Sequence, residues 1–437
     1  MIRSFTLSAL ALAVCAQALA SEVTPGSTLT TGPTSNGHSL YSATFNPAVA
    51  ALTVDSDEKL RFSYFPSISF STELGDVNDF VDDIDDLIDI LDDPSLTDES
   101  VEETLDRFNS VVEQMGDEGY VTVSAMVTAP IFPIYWQPDF LPGTVFSELA
   151  ASIQVKTSFL DDELTYDDAK QTFSTASSAY VKSGIQTKFA LGYAQELFNE
   201  EKFADYGGRL YAGVKANFYR LELSKQVILL EELEGEDIED YVSDAYDNNV
   251  ETATKLGLDL GLTWVADRYR AGLTLNNINS PSFEYGAIGV DCSQYADGSF
   301  DRANCEATDY FVRKGDIKSH EKHTKHFNAT VDSTVYLLKN WSLSGSVDLA
   351  AYDDTVGTEN QWLNVASAYN THSAWIPDLR IGYHKNLVGS KISTAALGFS
   401  FFDVVTLDLE VALDDVEVDG DKAPRKVAFS LAFEEKF

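Results

Sequence analysis

The chain has 437 residues, 70 acidic against 30 basic side chains, a formal net charge of −40 and 12% aromatic residues. Charge of this sign excludes non-specific nucleic-acid binding, which needs a basic footprint, and the aromatic content excludes wholesale disorder. The sequence beyond its N-terminus holds no apolar run of the roughly 20 residues a membrane helix needs. What remains is an acidic soluble protein or a membrane β-barrel, whose alternating strands cancel in an averaged hydropathy of −0.13.

The chain opens with Met1–Arg3, an apolar stretch from Phe5 to Val14, and the small-residue site Ala18-Leu19-Ala20. This pattern predicts a signal peptide over residues 1–20, cleaved after Ala20, and hence an exported protein. Lipidation at Cys15 is disfavoured because bulky Val14 precedes it. Residues 21–57 are polar and rich in Gly, Ser and Thr, ending in Asn46-Pro47-Ala48 and a short apolar run. Residues 76–116 predict two helices. Val77, Phe80, Val81, Ile84, Leu87, Ile88 and Leu91 recur at helical spacing, and after Pro94 the pair Ser95 and Asp98 reads as a start signal for a second helix bearing Val101, Leu105, Phe108, Val111 and Met115. Either the insert packs its apolar stripe on the barrel mouth, or it forms a lid or plug over the lumen.

The rest alternates. Leu256, Leu258, Leu260, Leu262 and Trp264 interleave with Lys255, Gly257, Asp259, Gly261 and Thr263. Val405 to Leu413 and Val427 to Phe437 repeat the pattern, and the face opposite the apolar one is rich in Gly, Ala, Ser and Thr, as a crowded lumen requires. Strands are expected near Leu60, Tyr120, Glu148, Ala179, Tyr206, Thr252, Arg268, Thr324, Trp341, Gln361, Ile376, Ser393, Val404 and Pro424. The fold class is therefore all-β, a transmembrane antiparallel β-barrel of about 14 strands spanning 58–437. Short turns such as Ala266-Asp267, Leu338–Asn340 and Phe402-Asp403 alternate with long outer segments, Asn279–His323 among them. Two stretches fit less cleanly: Pro130–Ser147 is long for an inner connection, and Asp161–Ser178 has room for another strand. Cys292 and Cys305 are expected to staple the 279–323 loop as a disulfide, and neither they nor Cys15 form a CxxC pair.

Of the clusters that suggest chemistry, His320, His323 and His326 lead into a strand and are interleaved with Lys, which predicts a solvated loop end and no metal. Asp415, Glu417, Asp419 and Asp421 echo a calcium loop, but Lys426 stands where its bidentate acid belongs. No nucleophile, phosphate-loop or zinc motif is present, so neither an enzyme nor a cofactor is expected. Lys255, Asp259, Arg270, Arg380, Asp408 and Glu410 share the inward parity and predict a charge ladder in the lumen, either barrel-interior salt bridges or a selectivity track.

Asn46-Pro47-Ala48 just before the first strand resembles the N-terminal hatch of FadL-like outer-membrane barrels, the transporters of hydrophobic compounds. Leu379-Arg380-Ile381-Gly382-Tyr383 with Asn386, Ala396-Leu397-Gly398-Phe399, and Gly272-Leu273-Thr274 with Asn277-Ile278 are similar to the TraF-like branch associated with conjugal transfer. The resemblance implies a cell-outer-membrane location and a hatch over residues 21–57. It further implies a hydrophobic small molecule bound or transported beside Asn46, Pro47 and Ala48 in an apolar pocket. The alternative is a conjugation- or secretion-associated envelope protein using the barrel as an anchor. Expected partners are outer-membrane lipid and lipopolysaccharide, with the barrel-assembly machinery reading Phe437, an aromatic end typical of such barrels; nucleic acid is not among them.

Overall fold

The computed structural model describes residues 24–54, 58–92, 100–198, 207–230, 246–371, 373, 375–402, 404–418 and 420–434. The expected signal peptide, its cleavage site at Ala20, the Ser95 and Asp98 start signal, Asp403, Asp419 and the terminal Phe437 lie outside these residues.

Fourteen antiparallel strands close into one barrel. They are β1 (Ile68–Leu74), β2 (Tyr120–Thr128), β3 (Thr144–Leu160), β4 (Ser178–Phe198), β5 (Gly208–Leu229), β6 (Glu251–Ala266) and β7 (Tyr269–Asn276). The second half comprises β8 (Asn328–Leu338), β9 (Trp341–Asp348), β10 (Trp362–Tyr369), β11 (Asp378–Asn386), β12 (Ser393–Phe401), β13 (Val405–Ala412) and β14 (Lys426–Phe433). Each strand pairs with its neighbours in sequence, and β14 closes the ring on β1 with Ile68 opposite Leu431. Closure leaves the ring without a free edge, the condition for satisfying every wall amide inside lipid.

Alternation decides which side meets lipid. Leu256, Leu258, Leu260 and Leu262 point outward and are 36–42% exposed, and the belt continues through Val331, Val335, Leu343, Ile381, Leu397 and Leu409. In water such a continuous apolar band would be a liability; around a barrel it is the lipid-facing surface. At the short-turn end lie Trp264, Tyr269, Trp341, Tyr369, Trp375 and Phe402, an aromatic girdle for the membrane interface.

The two stretches that fitted less cleanly have explanations. Strand Ile134–Trp136 adds to the end of β3 that β2 leaves free, and Leu60–Phe62 pairs with it in turn. The wall is thus interrupted at 63–67 and 129–133, each flanked by strand on both sides. Within Asp161–Ser178 the extra strands, Thr165–Asp167 and Thr172–Ser174, form a small hairpin outside the wall ladder. Two expected strand starts move: the first wall strand begins at Ile68, beyond the short piece at Leu60, and Lys322–Thr324 pairs with Ser282–Glu284, so that β8 begins at Asn328.

Strands β3, β4 and β5 have 17, 21 and 22 residues, about twice the nine to eleven a tilted strand needs to cross. Their outer ends form a platform. On its outward side pack the insert helices α1 (Phe80–Asp92) and α2 (Val101–Glu118). Helix α2 is started by a capping box between Ser100 and Glu103. Ile84, Leu87, Phe108, Val112 and Met115 meet Ile153, Val155, Phe159 and Val181 in one buried cluster. The insert therefore lies against the wall and does not enter the lumen, which decides against a plug at this position. On the inward side packs the 279–323 loop with helix α3 (Phe300–Lys314), whose Phe311 is buried among Leu160, Tyr180 and Val227.

Cys292 and Cys305 are bonded, with Cα atoms 5.5 Å apart, joining a short turn to α3. Closing a loop of this length contributes about 3 kcal/mol by restricting the open chain. Replacing both cysteines by serine is expected to leave the heat-dependent gel shift of the barrel unchanged while speeding proteolysis within residues 279–323. Unchanged cleavage would show that packing of α3 alone holds the loop.

Candidate functional site: a lumen closed from both ends

Residues 24–54 fold into the barrel as a compact hatch of single helical turns, Thr28–Thr31, Ser42–Phe45, Pro47–Val49 and Ala50–Thr53. A segment this short cannot satisfy its own main chain, so the wall does it. Asp408 accepts from the Thr30 amide at 3.0 Å and its hydroxyl at 2.6 Å. Asp332 accepts from the Ser35 amide and hydroxyl, both at 2.8 Å. Glu434 accepts from the Ser27 amide at 3.3 Å and the Leu40 amide at 3.1 Å. The carbonyls are met by Arg61, almost fully buried, which donates to those of Gly37, Thr53 and His38 at 2.7–3.3 Å. Lys215 donates to the Thr44 carbonyl. Charged partners make these the stronger class of hydrogen bond.

The Asn-Pro-Ala tripeptide has a local role that explains each residue. Asn46 caps the turn by accepting from the Ala48 amide at 3.1 Å, and its amide nitrogen donates to Ser35, to the Leu262 carbonyl and to Thr263 at 3.0–3.1 Å. Pro47 occupies the first position of the turn, where a missing N–H costs nothing. Ala48 is small because the turn lies against the wall. A Cβ on Gly261 would come within 2.0 Å of Asn46, and one on Gly213 within 2.5 Å of the Ala48 nitrogen. The glycines on the inward face are thus seats for the hatch. All three tripeptide residues are buried in this contact. None of the three lines the two cavities described below, although the preceding Phe45 lines both.

The outer side is closed by a long outer connection, Asp353–Asn360 in the sequence reading, whose inward course that reading did not foresee. The loop between β9 and β10, residues 349–361, turns inward and crosses the lumen to strands almost diametrically opposite. Gln154 of β3 donates to Asp354 at 2.5 Å and accepts from Thr355 at 2.6 Å. Tyr285 of the 279–323 loop donates to the Thr355 carbonyl, tying the two roofing loops together. Asp354 holds the loop's own turn by accepting from the amides of Val356 at 3.1 Å and Thr358 at 2.7 Å.

Between hatch and inward loop lies a chamber of about 400 Å³. Its wholly apolar side chains are Leu29, Pro33, Phe45 and Met126; the rest of its lining is dominated by hydroxyl, amide and charged groups. A second cavity of about 90 Å³ sits beside the wall interruption, between Tyr41, Phe45, Met126, Pro133 and Leu149.

The expected charge ladder resolves into separate parts. Arg380 pairs with Asp408 at 2.7 Å, both buried, and so positions the carboxylate that holds Thr30. Asp259 meets Lys215 at 3.4 Å, and Glu410 meets Lys426 at 3.4 Å, all facing the lumen. Arg270 stacks over Tyr336 near the short-turn end, 5.5 Å from its centroid. Lys255 stands exposed toward the outer end of β6, away from the others. Asp332, Glu434, Arg61, Lys215 and Glu148 escaped the sequence reading. Their inward parity was available, but which of many inward acids meets the hatch depends on ring closure.

The His expectation is corrected at one position. His323 is buried, stacked on Phe283 with centroids 6.5 Å apart, because the short strand Lys322–Thr324 tucks it under the loop. No cluster of three or more potential metal ligands occurs among the described residues.

With the architecture established, sequence comparison is decisive. Residues 43–348 match the family described as "F plasmid transfer operon, TraF, protein", over more than half the chain. The chain belongs to this family. No curated protein matches it by sequence. Among solved structures this TraF-family barrel is similar to the Pseudomonas putida toluene transporter TodX at 11% identity and a TM-score of 0.41, covering 93% of this chain and 95% of that one. It is also similar to a Pseudomonas aeruginosa FadL homologue at 10% identity and a TM-score of 0.39, covering 95% and 98%. The Escherichia coli outer membrane phospholipase A follows at 10% identity and a TM-score of 0.25, covering 85% and 93%.

Two predictions follow from the contacts. Asp408→Asn removes a charged acceptor and leaves Arg380 buried without its partner, a loss of about 3 kcal/mol or more. Hydrogen exchange at the Thr30 amide is expected to accelerate with the barrel still closed; an unchanged rate would show that Asp408 does not seat the hatch. The outer roof is expected to loosen in acid. Burial pushes His323 from its ordinary 6.5 down to about 3. Between those values the undocked loop takes up a proton that the docked loop does not, so docking weakens as pH falls. Burial raises the Glu321 carboxyl, but Lys182 at 2.6 Å and Lys225 at 3.4 Å outweigh it and hold it below its ordinary 4.5. Its stabilisation is present above 4.5 and is lost as pH falls through the lowered value. Proteolysis of residues 279–323 should therefore rise from pH 7 to pH 5 through His323 first, and His323→Phe should flatten that step.

Proposed function

We propose that this outer-membrane-type barrel binds a small molecule in its lumen and passes it inward when the hatch or the inward loop moves. The observation that carries this reading is the chamber of about 400 Å³ held between two plugs of different origin. A barrel used purely as an anchor has no need of a space lined from both sides, and its volume falls within the roughly 300–1,000 Å³ of small-molecule sites. For the hydrophobic cargo that the FadL resemblance implies, the smaller cavity offers Tyr41, Phe45, Met126 and Leu149 beside the paired charges of Glu148 and Lys188.

The test is conductance in planar bilayers. The wild-type barrel is expected to be nearly silent because hatch and loop both obstruct it. Gly261→Val, which places a side chain where Asn46 sits, should unseat the hatch and raise conductance well above wild type while preserving the heat-dependent gel shift. If unseating the hatch leaves a folded barrel as silent as before, the passage reading fails.

A further inference from the structure

Resting on the reading that a small molecule enters the chamber, we propose that the 349–361 loop is its moving outer closure. The loop is a strap that releases its tip from β3 and β4 to admit solute from outside, with the hatch still seated. The two plugs differ in where their main chains find hydrogen bonds. The hatch leans on the wall. Its amides at Ser27, Thr30, Ser35 and Leu40 donate to carboxylates, and Arg61 and Lys215 donate to its carbonyls. Unseating it strips its main chain of ionised partners, the stronger class of hydrogen bond.

The strap is built the other way. Its arms, Tyr352–Asp353 and Glu359–Asn360, form their own short ladder. Its tip closes on itself: the Asp354 amide donates to the Thr358 carbonyl at 3.0 Å, and the Asp354 carboxylate accepts from the Val356 and Thr358 amides. Gly357 takes the positive φ of +82° that the turn needs. Withdrawn as one body, the strap keeps all of these bonds. What holds its tip in place is side-chain docking. Gln154 bonds Asp354 and Thr355, the Tyr285 hydroxyl donates to the Thr355 carbonyl, and Lys156 reaches the Thr358 hydroxyl at 3.5 Å. Thr355 rests on Gly184 of β4, where an added Cβ would lie 2.9 Å from the Thr355 Cβ. At the β10 base the strap is pinned, because the Gln361 amide donates to Asn386 at 2.9 Å and its side chain donates to the Asp348 carbonyl at 3.0 Å. At the β9 base Leu349, Ala350 and Ala351 are exposed. Tyr352, Asp353, Asp354, Thr358 and Asn360 all line the chamber, so withdrawing the strap removes one side of its lining and opens it outward.

The experiment measures access to a thiol introduced by Thr44→Cys, on the hatch side of the chamber. Full-length protein in detergent is treated with N-ethylmaleimide, and alkylation at position 44 is followed by peptide mass; Cys292 and Cys305 are bonded to each other and stay silent. Adding Gln154→Ala and Tyr285→Phe unlatches the tip and is expected to speed alkylation about tenfold or more, with the heat-dependent gel shift unchanged. Adding the oxidised pair Gly184→Cys and Thr355→Cys ties the tip to β4 and should slow alkylation below the rate with the native strap. The 2.9 Å between those Cβ positions has only to relax toward the roughly 3.5–4.5 Å of a disulfide. An unlatched strap that leaves the rate unchanged, or a tied strap that does not slow it, would overturn the proposal and leave the hatch or the wall as the way in. If access follows the strap while hatch-unseated Gly261→Val barrels stay silent, the strap stands and the passage reading falls.

Discussion

The structure depends on one requirement: a short polar segment placed inside a barrel must have its main chain satisfied by the wall. An unpartnered buried amide or carbonyl costs as much as a lost hydrogen bond, and the single turns of residues 24–54 satisfy only part of their own main chain. The wall answers with ionised side chains at separate points around the ring. Asp332, Asp408 and Glu434 take hatch N–H groups, and Arg61 takes hatch carbonyls. Buried charges are expensive alone, so each is matched with a donor set or a counter-charge, as Arg380 matches Asp408. The hatch and the interior charges justify each other.

The same requirement shapes the inward face. Gly213 and Gly261 let the Asn46–Ala48 turn approach the backbone, and Gly382 and Gly398 do the same beneath Thr30. What reads in one dimension as a generally crowded lumen is in three dimensions a set of seats cut for one segment. At the other end the 349–361 loop is held through side chains, with Gln154 donating to the Asp354 carboxylate and accepting from the Thr355 hydroxyl. The chamber inherits the chemistry of both plugs and of the wall, which is why it is polar although the barrel's outer surface is not.

The fold was highly legible. A strand's side chains alternate with a strict period, so Leu256–Trp264 or Val405–Leu413 betray a two-faced strand without any knowledge of neighbours. Strand number, the alternation of short and long connections, the two insert helices and the Cys292–Cys305 staple followed from similarly local signals. The candidate site was legible only in fragments. Asp259, Arg380, Asp408 and Glu410 were recognisable as inward charges, yet their partners lie on other strands or, for Asp408, 378 residues away in the hatch. Lys255 shares their parity and still stands apart, because parity says which side a residue faces and not how far along the barrel it sits.

By itself, then, the sequence determined a closed membrane barrel with lipid-facing and lumen-facing rows, an N-terminal segment preceding it, and decorated outer loops. These are consequences of periodicity and turn chemistry, which act over a few residues. Only the tertiary structure decided that the helical insert packs outside while the 349–361 loop enters, that His323 is buried, and that Asn46-Pro47-Ala48 is seated against the backbone of Gly213 and Gly261. Those outcomes depend on which strands stand opposite one another once the ring closes. Ring closure brings Gln154 to Thr355 and Asp332 to Ser35 across hundreds of residues, and no local pattern encodes such distances.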